Sequence, residues 1–239
     1  MRKGIIYLCI VMLSGAGGFF LGRFFYDHGS QREPLPVIGQ APDYTLINQL
    51  GSPVSSTSFC GKVQIVTFLF TYCRGYCPLI AHNFIALEQV LKAAGIADRV
   101  QLVAFNVDPE NTDPSQMKMF QQQYGWDPSD LHWEFLTGSP EEIRRIVTDG
   151  YHVYFRKVSD TEEDQGSESG KLEQDVIPEP VVSNPLADSA HAGYDIIHND
   201  MLVIVDTRGR IRSMFEDAER ISDEHLINII NQLLPPETP

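Results

Sequence analysis

The chain has 239 residues, 43% of them hydrophobic and 21% charged, with a formal net charge of −14. That length suits one domain of ordinary size with appendages, and the composition supports a buried core. The acidity excludes nucleic acid as a partner, because phosphate binding needs a basic surface.

Arg2 and Lys3 precede an apolar run from Gly4 to Gly22 that meets no charge until Arg23. A run of this length spans a bilayer as a helix, and flanking positive charge keeps its start in the cytoplasm. Residues 1–23 are therefore expected to form an uncleaved transmembrane helix. Ser14, Gly15 and Ala16 offer a signal-peptide cleavage site as the alternative, but the apolar run continues past them through Phe19, Phe20 and Leu21. Residues 24–36, polar from His28 onward and carrying Pro34 and Pro36, read as a tether. The expected location is the inner (cytoplasmic) membrane, with the domain at residues 37–235 facing the periplasm or another extracytoplasmic space.

Within that domain, residues 44–47 form a short strand that turns near Gly51, Ser52 and Pro53. Residues 64–70 are a continuous apolar, β-prone run, the signature of a strand buried on both faces. A helix follows, with Ile80, Phe84, Leu87 and Leu91 at helical spacing and Gly95 closing it. Residues 100–107 are a second buried strand. Asp113 caps the next helix, with Pro114 at its first position and its end near Gly125. Residues 133–136 are another short strand, and Ser139 to Glu142 is a capping box that opens a helix through Val147. Residues 151–155 alternate like a strand. From 159 to 193 the chain is rich in Glu, Asp, Ser, Gly and Pro without apolar periodicity, and reads as a flexible acidic insertion. Residues 201–205 and 210–215 form a hairpin about Asp206 and Gly209. Ser222 caps a last helix with Leu226, Ile229, Ile230, Leu233 and Leu234 on one side. This order predicts an α/β thioredoxin-like fold, a central mixed β-sheet flanked by helices.

Cys9 lies in the apolar N-terminal run, which leaves Cys60, Cys73 and Cys77 for the domain. An odd number excludes a complete internal disulfide framework. Cys73 and Cys77 sit between a buried strand and the mouth of a helix. The helix dipole and Arg74 are expected to favour thiolates there. In a helix, residues four apart have Cβ atoms about 5–6 Å from each other. That separation allows a disulfide or two sulfurs on one soft metal ion. Three residues separate the cysteines, where thiol–disulfide oxidoreductases have two, so the pattern leans toward a metal.

Of the seven histidines, His28 lies in the tether, His82 on the helix after the cysteines, His191 in the insertion and His225 in the last helix. His132 and His152 lie in or beside strands without a motif. His198 is expected in a loop just before strand 201–205, and in a thioredoxin-like fold that loop faces the mouth of the cysteine helix. Imidazole suits copper.

Several ordered motifs resemble the Sco/SenC family: Thr71, Cys73, Cys77 and Pro78 after a buried strand; Val107 to Glu110; Leu136 to Ser139; and Tyr194, His198, Asp206 and Gly209. Members of that family are thioredoxin-like, membrane-anchored and extracytoplasmic. The resemblance implies that Cys73, Cys77 and His198 bind copper, as Cu(I) or Cu(II). It also implies delivery of copper to the dinuclear copper site of cytochrome c oxidase subunit II, with another copper or thiol protein as the alternative partner. The alternatives are a thiol–disulfide reductase that keeps the oxidase cysteines reduced through Cys73 and Cys77, and a redox or copper sensor. The chain departs from the family pattern at Arg74, where proline is usual, at Ile197, where an acid is usual, in the length of the acidic insertion, and in carrying Cys60.

Overall fold

A computed structural model of the chain describes residues 34–73, 75–127, 132–159, 184–189, 194–198 and 200–236. Residues 36–239 form one compact unit and residues 1–35 another. The expected anchor at 1–23 lies outside the described residues. Among those described, no helix is long and apolar enough to cross a membrane.

Two parallel strands make the centre. β4 (Val63–Leu69) and β5 (Val100–Asn106) are buried at every position and run in register from Val63↔Val100 to Leu69↔Asn106. Strands covered on both faces need continuous apolar runs, which is why the two runs were legible in the sequence. β6 (Trp133–Thr137) continues the parallel set. α1 (Cys77–Ala93) connects β4 to β5, and α2 (Pro114–Gln123) connects β5 to β6. Antiparallel strands complete the sheet on both sides. β9 (Leu202–Val205), β10 (Arg210–Phe215) and β1 (Gly39–Gln40) lie beyond β4, and β2 (Thr45–Asn48) and β3 (Pro53–Ser55) lie beyond β6. The order β1-β10-β9-β4-β5-β6-β2-β3 is the mixed thioredoxin-like sheet the sequence predicted.

The capping predictions hold in atomic detail. Asp113 and Gln116 bond reciprocally at the start of α2, and Ser139 and Glu142 do the same at α3 (Pro140–Arg144). Each box satisfies otherwise orphaned N–H groups of a first helical turn. Beyond α3 the chain continues in π-type turns over Arg145–Gly150. The last helix, α5 (Asp223–Leu233), is capped by Ser222, whose hydroxyl accepts from the His225 N–H, and packs beside α1.

Two expectations are corrected. Residues 151–154 are not a strand. His152 has φ 59°, which breaks an extended run, and the alternation reflects Tyr151 and Val153 turning into the core. Tyr151 packs against Phe68 and Phe105 with ring centroids 5.6 Å away in both cases. The strand is β7 (Phe155–Ser159), which pairs with β8 (Tyr194–His198) in a separate two-stranded ribbon. The stretch 159–193 is also not wholly irregular, since α4 (Pro185–Ser189) folds within it.

Gly150 closes the π-type turn against Pro42. A Cβ built there would meet the Pro42 ring at 2.6–2.7 Å. A proline ring cannot rotate away, so Gly150→Ala overpacks the contact. The expected loss is about 1–3 kcal/mol, read as a lower urea midpoint with an unchanged m-value.

Candidate metal and thiol site

The chain leaves β4 at Leu69 and needs seven residues to reach the first residue of α1, Cys77. Both cysteines of this loop are free thiols and both are buried, Cys73 7% exposed and Cys77 fully covered. The backbone holds the sulfurs in place. The Phe70 N–H donates to Cys77 Sγ at 3.5 Å, and the Gly75 N–H donates to Cys73 Sγ at 3.3 Å. The Cys73 N–H turns back onto the Phe70 carbonyl at 3.1 Å, and the two thiols hydrogen-bond each other.

The electrostatics correct one expectation. A helix N-terminus was expected to lower the thiol pKa, but burial pushes the Cys77 thiol well up, and the hydrogen bond and charge of Cys73 add to the rise. Loss of solvent outweighs the half charge of the helix end. Asp200 contributes in the same direction. Arg74 lies outside the described residues. Cys77 is therefore a protonated thiol until something positive replaces the missing water.

His198 lies in strand β8, with Phe155 as its register partner, and not in a loop as expected. β8 pairs with β7 across the acidic stretch, so His198 meets a strand partner far away in sequence. The side chain of His198 is outside the described set. Two residues on, Asp200 is close enough to Cys77 to act on its thiol. Among the described residues, no three His, Cys, Asp or Glu side chains converge on one point.

The other histidines lie elsewhere. His132 sits at the start of β6, the opposite end of the parallel strands from the thiols, with Nδ1 3.4 Å from Glu88 and Nε2 3.2 Å from Asp98. His82 and His152 are exposed, and His225 packs edge-on against Phe215. His28 and His191 lie outside the described residues. Cys60 is exposed just before β4, at the end of that strand remote from the other two cysteines.

Sequence reasoning did not anticipate how two distant motifs meet beside the thiol loop. Tyr194, at the start of β8, donates its hydroxyl to Asp108 Oδ2, and its ring lies 5.8 Å from that of Phe70. Burial, then the Asp108 carboxylate, push the Tyr194 hydroxyl up, so it stays a donor. Lys157 Nζ caps the outer face of the same ring at 3.7 Å, a cation–π contact. The ribbon is thus fastened to the loop after β5, next to the cysteines.

The profile of the SCO1/SenC family matches residues 36–171. This chain belongs to the SCO1/SenC family. A SCO1 homolog of Bacillus subtilis is 35% identical over 143 residues, covering 59% of this chain and 71% of the relative. The SCO2 homologs of mouse and cattle mitochondria are longer, and the chain spans 58% and 53% of them. Among solved structures, BsSco, described as having a disulfide switch and as a member of the Sco family of cytochrome c oxidase assembly proteins, superposes with TM-score 0.61 at 24% identity over 86% of this chain and all of that one. Bradyrhizobium japonicum ScoI with copper bound gives TM-score 0.58 at 23% identity, over 82% of this chain and 99% of that one. At these identities the SCO1/SenC structures establish the common fold.

Proposed function

We propose that this SCO1/SenC protein captures copper with the sulfurs of Cys73 and Cys77 and the imidazole of His198, and hands it to the dinuclear copper site of cytochrome c oxidase subunit II. The observation that carries this reading is the pair of free, buried, mutually hydrogen-bonded thiols between β4 and α1. Soft sulfur donors suit Cu(I). A raised Cys77 pKa fits a cation-dependent site, because an arriving cation replaces the lost solvation and releases the protons. Three protein ligands leave a position at which a partner's ligand can enter. Residues 1–23 anchor the chain in the inner membrane and place this site outside the cytoplasm, where the oxidase subunit would meet it.

His198→Ala tests the ligand set. The expected result is Cu(I) affinity at least about tenfold weaker, the smaller end of the loss seen when even outer-shell partners of a metal are removed. Competition with a chromophoric Cu(I) chelator measures it in the full-length chain. Unchanged affinity removes His198 from the site.

A second reading has its own observation. The Cys73 and Cys77 side chains interact, so one can attack an oxidised partner and the other can resolve the mixed disulfide. Two thiols here would become one disulfide while a partner disulfide becomes two thiols, so electrons and protons balance. That reductase needs Cys73 and Cys77 and is indifferent to His198. Fast exchange with an oxidised subunit II peptide that survives His198→Ala would favour it.

A further inference from the structure

The cysteine loop is held from outside by Asn184, a residue of the acidic stretch that sequence reading left without a role. Asn184 is 6% exposed and stands immediately before α4. Its Nδ2 donates to the carbonyl of Thr71 at 3.0 Å and to the carbonyl of Cys73 at 2.8 Å. Its Oδ1 accepts from Gln123 Nε2 at 3.0 Å, at the end of α2, and from the Ala187 N–H at 3.4 Å. The carboxamide therefore ties three parts of the chain together, the thiol loop, α2 and α4.

The chemistry is specific to an amide. Only Asn or Gln offers two donors and an acceptor on one planar group. A carboxylate would keep the acceptor and place lone pairs against two carbonyls. A hydroxyl could not span both carbonyls while also accepting from Gln123. The two carbonyls flank Tyr72, so fixing them fixes the backbone that turns the Cys73 sulfur toward the Gly75 N–H and toward Cys77.

We infer that Asn184 is a positioning residue for the thiol pair: it pre-orders the Cys73 side of the loop so that two sulfurs are presented together. The inference rests on the proposed role of that pair. Pre-ordering matters because a site that must be organised on binding loses affinity to the entropy of ordering.

The test uses Asn184→Ala and Asn184→Asp in the full-length chain, with Gln123→Ala as a third variant that loosens the amide from its other side. Two readouts are followed well below the unfolding midpoint: native-state alkylation of Cys73 by iodoacetamide, resolved from Cys77 by peptide mass, and Cu(I) competition with bathocuproine disulfonate. Loss of two buried hydrogen bonds is expected to speed Cys73 alkylation about tenfold and to weaken Cu(I) binding by a similar factor. Gln123→Ala shifts both in the same direction by less. A lower unfolding midpoint with unchanged Cys73 alkylation and unchanged Cu(I) affinity would overturn the inference and leave Asn184 a packing residue. If the Asn184 variants do not fold, Gln123→Ala decides alone, and no change there overturns it. Failure of the unaltered chain to bind Cu(I) would count against the proposed function, while the alkylation rates still report on Asn184.

Discussion

Cys77→Ser is expected to abolish stoichiometric Cu(I) binding, and Cys73→Ser to do the same. A hydroxyl is a hard, neutral donor in place of a soft thiolate. The loss should exceed about a hundredfold, above the 10–100-fold typical of residues that only orient a ligand. The two serines differ in one respect. Cys77 is fully covered, with its sulfur accepting from the Phe70 N–H, whereas Cys73, also buried, keeps 7% exposure. Serine at 77 keeps an acceptor for that N–H, so the unfolding midpoint should move little while metal binding disappears. In the unaltered chain, Cu(I) affinity should climb with pH through the neutral range. Burial keeps the Cys77 thiol protonated there, and each thiol must lose its proton to bind. Affinity that is flat in pH, or serine variants that still bind one equivalent, would show that the sulfurs are not the ligands.

The largest stability effect is expected at Asp206, on the turn between β9 and β10. Its carboxylate is 2% exposed and nearly saturated with hydrogen bonds. Oδ1 accepts the N–H groups of Arg208 and Arg210 at 2.9 and 3.1 Å, and Oδ2 accepts from Arg210 Nε at 2.9 Å and Arg212 Nη1 at 2.8 Å. Burial alone would raise its pKa, but the bonds from the two guanidinium groups and two backbone N–H groups outweigh that and hold it at about 2. Removing the carboxylate takes away the ion pairs that Arg210 and the more deeply buried Arg212 each make with it. Asp206→Ala is expected to cost about 3 kcal/mol, the lower part of the range for breaking a buried pair, because Arg210 is 35% exposed. For a domain of this size that lowers the melting midpoint by roughly 10 °C. The pH dependence has a definite sign. A folded pKa of about 2 against about 3.9 unfolded means that the stabilisation, about 2–3 kcal/mol, is complete above pH 4 to 5 and is lost as the pH falls toward 2. In Asp206→Asn this component of acid sensitivity should vanish. A midpoint unchanged in Asp206→Ala would mean that the turn is held by its backbone alone.

The motif around Asp206 shows how much local chemistry can be read in advance. An aspartate that bonds the backbone two residues on, followed by a glycine, is a turn signal wherever it occurs, and here Gly209 takes φ 77° to complete it. The cap at Asp113 and the capping box at Ser139 were legible for the same reason, since each bonds residues three apart. The continuous apolar runs of β4 and β5 could be located because burial on both faces leaves no polar alternation to confuse them. Residues 151–155 misled because Tyr151 and Val153 are buried by a turn and not by strand pairing. Asn184 carried a faint signal of its own, an Asn before Pro185 at a helix start, but nothing local reveals that its amide reaches back more than a hundred residues to the Thr71 and Cys73 carbonyls.

By itself, the sequence determined the order of the central strands β4, β5, β6, β9 and β10 and of the helices α1, α2, α3 and α5, the caps and hairpin turn, and the siting of two cysteines between a buried strand and a helix. All of these rest on interactions among near neighbours in the chain. Tertiary structure alone decided that Tyr194 meets Asp108, that β8 pairs with β7, that Asn184 grips the thiol loop, and that burial raises the Cys77 thiol where the helix end would lower it. Desolvation depends on everything packed around a group, and no window of sequence contains that information.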